Sequence, residues 1–208
     1  MQNRFAVNSV TLCGSLEGRP QFSHSGGDKS FYAFNLTVPR LSGIEDKINI
    51  VCDQSLLAAV ELQERSMLKV KGELRSYNNK SGVGNRLIIF VYAHELELCD
   101  DEPQNDIYLL GTICKKPNLR TTPLGRDICD LLIAVNRSYG HSDYLPCICW
   151  GQNALDCSFW EVGDIVELEG RIQSRDYIKI VDGVEITKTA FEVSATTTQK
   201  QPKALTQC

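Results

Sequence analysis

Little in these 208 residues is suited to covalent chemistry. There is no G-x-x-x-x-G-K-[ST], no G-x-S-x-G, no H-E-x-x-H and no C-x-x-C. The three histidines stand alone in sequence, which makes a nucleophile–base pair hard to assemble, and no enzymatic activity is expected. No apolar run is long enough to span a bilayer, and MQNRFAVNSV lacks the charged-then-apolar order of a signal peptide. A cytoplasmic protein with no membrane contact is expected. Excess positive charge is also missing, the net charge being −4. Residues 1–104 carry 11 Lys+Arg against 13 Asp+Glu, residues 105–195 carry 9 against 13, and residues 196–208 carry 2 against none. Any contact with a polyanion must therefore come from a local groove.

Cysteine is not scarce: there are nine, mostly scattered singly. Without an export signal, buried free thiols acting as small hydrophobes are expected rather than disulfides. Cys147 and Cys149 share one strand face but have no further ligands at zinc spacing, so neither a metal nor any other cofactor is expected.

What the chain has above all is itself, twice. Shifted by 97 residues, Asn8, Leu12, Gly14, Pro20, Val38, Arg40, Gly43, Asp46 and Cys52 fall on Asn105, Leu109, Gly111, Pro117, Val135, Arg137, Gly140, Asp143 and Cys149. After one inserted residue, Leu68, Val70, Gly72, Leu74 and Ser76 fall on Val166, Leu168, Gly170, Ile172 and Ser174. A duplicated module of about a hundred residues follows, each copy large enough for its own core.

Each copy reads as five strands. In the first they run over about Val7–Leu16, Phe31–Arg40, Lys47–Asp53, Met67–Ser76 and Arg86–Leu98, with a helix over Ser55–Arg65. In the second they run over about Asp106–Cys114, Ile128–Arg137, Tyr144–Trp150, Val166–Ser174 and Thr187–Ala195, with a short helix over Asn153–Trp160. Five strands with one helix between the third and fourth is the order of an OB-fold, a small Greek-key barrel. The fold class is thus all-β, two tandem OB-fold barrels. The paired glycines lie inside strands, where a tight barrel bends. The domains are expected at 1–99 and 105–195, joined by the acidic Cys99–Gln104, with a disordered polar tail over 196–208. Phe31, Tyr32, Phe34, Phe90 and Tyr92 are expected to build the first core.

The second copy resembles the bacterial single-stranded DNA-binding protein family. NDIYLLGTICKKPNLRTTPLGR, LLIAVNRSYG, DYLPCICWG and VGDIVELEGRIQSRDY carry the resemblance. The first copy is similar mainly through NSVTLCGSLEGRPQF, FNLTVPR and LKVKGELRSY. The resemblance implies sequence-tolerant binding of single-stranded DNA in replication, recombination or repair. It places base-stacking rings at Tyr139, Tyr144, Trp150 and Tyr177. The matching first-copy positions are Ser42, Lys47, Asp53 and Asn79, none aromatic, so an assembly role is expected for that copy, with Arg75, Tyr77, Lys69 and Lys71 able to give weak DNA contact.

Unpaired DNA presents base faces and a phosphate chain, so its holder needs flat rings beside a cationic track. Lys115, Lys116, Arg120, Arg126, Arg137, Arg171, Arg175 and Lys179 are the candidate track. Arg137 and its twin Arg40 recur in both copies, which equally suits a structural pairing with a carboxylate. Strand parity puts Leu145, Cys147 and Cys149 inward and Tyr144 and Trp150 outward; Ile148, on the ring side, fits this poorly. Trp160, near the helix, is expected to be buried. Family members present four such barrels per assembly, which implies a homodimer. They also often end in an acidic tip that recruits repair proteins; KQPKALTQC has none. A primosome component or a protein-docking scaffold is the alternative.

Overall fold

The computed structural model describes residues 7–81, 85–137, 139–181 and 184–202, without the side chains at 179 and 181. The chain divides into two compact units. One comprises residues 9–106 with 172–191, the other residues 107–171 with 192–202 and the described residues 7 and 8.

In the first unit β1 (Asn8–Gly26), β2 (Lys29–Pro39), β3 (Glu45–Asp53), β4 (Met67–Asn78) and β5 (Leu87–Leu98) close in the order β1-β2-β3-β5-β4-β1. The β3–β5 contact is parallel, Ile50 facing Val91, and the others are antiparallel. In the second unit β6 (Gln104–Ile113), β8 (Asp127–Asn136), β9 (Ser142–Trp150), β11 (Val184–Lys200) and β10 (Ile165–Val181) close in the order β6-β8-β9-β11-β10-β6, and the short β7 (Asn118–Thr121) adds to β8. Again one contact is parallel, with Cys147 facing Val193.

The duplication extends to register. Ser15 pairs with Thr37 and Thr112 with Ala134; Gly14 pairs with Leu68 and Gly111 with Val166. The repeated glycines are close-approach sites. A Cβ on Gly72 would lie 2.1 Å from the Tyr92 carbonyl oxygen, and one on Gly170 would lie 2.1 Å from that of Ser194. Those contacts are far inside van der Waals range, so only glycine lets the strands meet there.

Alternation along the strands fills each barrel with aliphatic side chains: Leu12, Leu36, Ile48, Ile50, Leu68 and Leu74 in the first, Leu109, Ile113, Ile128, Ile133, Leu145 and Leu168 in the second. The expected aromatic core of the first barrel is not found. Phe34 alone of its five rings is buried, while Phe31, Tyr32, Phe90 and Tyr92 are half-buried. Odd positions of β2 and even positions of β5 point away from the interior, and Phe31, Phe90 and Tyr92 occupy them. The thiols behave as small hydrophobes: Cys52 and Cys129 are pushed up to about 11, chiefly by burial.

Two further expectations change. The helix expected over Ser55–Arg65 is one turn, α1 (Gln54–Ala58), capped by Asp53, whose carboxylate accepts from the Ser55 amide at 2.9 Å. It buries no residue, so no packing extends it, and a turn bonded Ser66 N to Gln63 O follows. The second helix, α2 (Gln152–Cys157), does bury Ala154 and Cys157. Residues 196–200, expected in a disordered tail, continue β11. Asn153 Nδ2 donates to the Thr196 carbonyl at 2.8 Å, Gln201 N donates to Ile165 O at 2.8 Å, and Lys200 pairs with the buried Asp164 at 2.5 Å. Threonine-rich sequence suits a strand once a neighbour accepts its backbone bonds.

Candidate nucleic-acid interface

Residues paired across neighbouring strands share a face, so the register defines the outer surface of the second barrel. On β9 Tyr144, Pro146, Ile148 and Trp150 lie opposite Ala134, Leu132, Asp130 and Ile128 of β8. Arg120 and Asn118 of β7 lie beyond, opposite Ile128 and Asp130, and Ser194 of β11 flanks Ile148. The inward set Leu145, Cys147 and Cys149 is buried, while Tyr144 is 45% and Trp150 38% exposed. The two rings therefore stand on one face, six residues apart, which is about 20 Å along a strand. Ile148 is buried although it faces outward. It lies mid-sheet between Asp130 and Ser194, and this accounts for its poor fit to simple alternation. The Trp150 Nε1 donates to Ser194 Oγ at 3.2 Å, which fixes the indole from its edge and leaves its face available.

Tyr139 sits in the turn between β8 and β9, closed by Arg137 N to His141 O at 2.7 Å, and is 91% exposed. No burial explains a ring there. Tyr177 belongs to the other unit, on the β10–β11 hairpin, and is 37% exposed. Three of the four candidate rings thus share a unit. Trp160 is half-buried rather than buried, because it follows the last turn of α2 instead of lying within it.

The cations divide by partner. Lys115 and Lys116 are exposed in the β6–β7 turn and line a groove of about 670 Å³ with Asn118, Asp130 and Leu132. Arg126 is exposed in the β7–β8 turn, its amide bonded to Thr122 Oγ1. Arg120 forks onto Asp130 through Nε at 2.6 Å and Nη2 at 3.0 Å, and this pairing raises its pKa further. Arg137 likewise forks onto Asp143, Nε at 2.7 Å, and Arg40 onto Asp46 at 2.7 and 2.6 Å. Both aspartates are buried, so the repeated arginine is a structural clamp in each copy. Arg171 is half-buried, with a buried Nε that lacks a hydrogen-bond partner among the described residues. Arg175 is exposed in the other unit, and the Lys179 side chain lies outside the described residues.

Strand parity placed Pro146 on the ring side, but sequence reading missed Asp130, Leu132 and Ser194, the floor and clamps between the rings. Their signal was strand register, β8–β9 for the first two and β9–β11 for Ser194, which alternation alone does not supply. Asp130 is the consequential one, because it neutralises the arginine nearest the platform.

A model of the Single-strand binding protein family matches residues 104–200. Single-stranded DNA-binding protein B of Bacillus subtilis (strain 168) is 34% identical over 80 residues, covering 35% of this chain and 71% of that protein. Single-stranded DNA-binding protein 2 of Listeria innocua is 32% identical over 80 residues, covering 35% of this chain and 50% of that protein. The chain spans about half the length of most of the curated relatives it matches. Among solved structures, the wild-type single-stranded DNA binding protein from Thermus aquaticus covers 97% of this chain and 96% of its own, with a TM-score of 0.78 at 20% identity. That likeness concerns fold, two barrels in tandem. With its second barrel matched in sequence and both barrels matched in fold, the chain belongs to the single-strand binding protein family.

Proposed function

We propose that the chain binds single-stranded DNA without sequence preference, on the outer face of β8, β9 and β11, and serves in replication, recombination or repair. The observation that carries this is the outward display of Tyr144 and Trp150 on β9, whose intervening residues seal the core. Bases stack on these rings, each contact contributing about 1–3 kcal/mol whatever the base. Tyr139 extends the surface at the β8–β9 turn. Lys115, Lys116 and Arg126 hold phosphates, while Arg120 and Arg137 orient the face through their carboxylates. Binding is non-covalent and keeps melted DNA from re-pairing. Two chains, giving four barrels, form the working assembly.

Titration with oligo-dT tests this through tryptophan emission. In a Trp160→Phe protein, stacking on Trp150 quenches the remaining signal. Unchanged emission at saturating oligonucleotide, with no binding by anisotropy, would end the reading. Sedimentation of the free protein reports the dimer.

A further inference from the structure

The first barrel lacks rings at the four positions matching those of the second, yet its outer face is rich in aromatics. Most are engaged with one another. His24 stacks on Phe31 at 4.8 Å and 16°, and Arg75 lies 4.4 Å over Tyr92. Tyr77 on β4 and Phe90 on β5 have no ring partner among the described residues, and Tyr77 is 57% exposed. Both line an open trough of about 910 Å³, with Arg19 on the β1 arm, Asn35 on β2, Asn49 on β3 and Ile88 on β5. Tyr77 pairs with Ile88 and Arg75 with Phe90, so Tyr77 and Phe90 are diagonal neighbours, about 7–8 Å apart at the backbone. Both side chains therefore stand on one face of neighbouring strands, along the same trough.

The polar groups of the trough suit the same ligand. Glu17 is neutralised by Lys47 at 2.6 Å, whereas Arg19 is exposed and has no carboxylate partner among the described residues. Asn49 spends Nδ2 on the Ile89 carbonyl at 3.3 Å, which leaves its Oδ1 to accept from a base edge beside the Asn35 amide. The trough is lined from all five strands of the barrel; β2, β3 and β5 are the counterparts in the repeat of β8, β9 and β11, which carry the second barrel's platform, and β4 adds Tyr77.

We infer that the first barrel holds a second single-stranded nucleic-acid site, in which bases stack on Tyr77 and Phe90 and a phosphate meets Arg19. The ring set is relocated to β4 and β5 rather than lost. This replaces the assembly role expected for the first copy, and it rests on the proposed function above.

The test uses the full chain and a dT oligonucleotide of about 30 bases carrying 5-iododeoxyuridine, photo-cross-linked and mapped by peptide mass spectrometry. The expected result is adducts on Tyr77 or Phe90 as well as on second-barrel rings. A Tyr77→Ala, Phe90→Leu protein then shortens the length of poly(dT) occluded per chain and binds long oligonucleotides about tenfold more weakly, with Trp150 quenching retained. Because Tyr77 is exposed, Tyr77→Ala alone provides a variant that does not disturb the core, and Tyr77→Trp provides a local emission reporter expected to quench. Adducts confined to residues 105–171, with occluded length unchanged in the double variant, overturn the inference. So does a change in oligomeric state of that variant with DNA binding intact, which assigns the trough to a second copy. If neither Trp150 nor the Tyr77→Trp reporter responds, the proposed function falls as well.

Discussion

At the scale of single residues, two kinds of side chain on the second barrel look alike in sequence but have different roles. Trp150 is 38% exposed and its edge donates to Ser194, so its removal should cost binding as well as some packing. Trp150→Ala is expected to weaken oligo-dT binding by about 1–3 kcal/mol in an anisotropy titration run below the unfolding transition, so that the loss is read on folded protein. Arg137 holds a carboxylate that is almost wholly inside the protein. Arg137→Ala leaves Asp143 buried without its ion pair, a situation that typically costs about 3–5 kcal/mol. Urea unfolding is expected to show that loss, and any fall in DNA affinity should track the unfolded fraction. The recurrence of Arg40 and Asp46 at the same spacing was legible and already admitted the clamp. Asp130 was not legible, because nothing in ICDLLIAVNR says which carboxylate will meet Arg120 across a strand pair.

At the scale of elements, alternation located ten strands and the helix positions, and the paired glycines marked where strands crowd. It failed where faces were ambiguous. KSFYAFNLTV carries rings at both parities, so the first barrel's aromatics could not be divided between core and surface before the β2–β3 register was known. It failed again at the end of β11, where ATTTQK reads as a disordered polar tail although the Ile165 carbonyl and the Asn153 side-chain amide take up its backbone groups. A chain ending after Ala195 loses Lys200 and leaves Asp164 buried without its cation, while one ending after Pro202 keeps the pair. The shorter chain is expected to unfold at lower urea, with the same secondary structure in the first barrel. The cap of α1 offers a pH test. The Ser55 amide, then Lys29, holds the Asp53 carboxylate down from 3.8 to about 2. A depressed folded-state pKa stabilises the fold above the unfolded value and ceases to do so as pH falls through the folded one. Between about pH 4 and pH 2 the wild type therefore loses a contribution that Asp53→Asn, which still caps, never had. Acid titrations of the two proteins should converge over that interval.

At the scale of the whole molecule, the duplication was the clearest signal in the sequence, since an offset of 97 residues reproduces strand register as well as residue identity. What the repeat could not reveal is that residues 172–191, continuous with β10 and β11, join the first unit. Tyr177 therefore does not share a unit with the other three rings. Charge is the other global property, and it decides how binding responds to salt. Eight cations were candidates for the phosphate track, and full engagement would give a log–log slope of about −6 at roughly 0.7 per phosphate. Arg120 and Arg137 are committed to aspartates, and in the second unit only Lys115, Lys116 and Arg126 are exposed with no ion pair among the described residues. Three contacts give a slope of about −2, and Arg19 in the first barrel brings it to about −3. A chain of net charge −4 adds no long-range attraction to raise that figure. Affinity for oligo-dT measured from low to moderate salt should therefore fall gently, because stacking carries most of the binding. A slope near −6 would mean that the arginine clamps open onto phosphate when DNA arrives, and Arg137→Gln, which removes the charge, would then reduce the slope by about 0.7 only if that residue were among them.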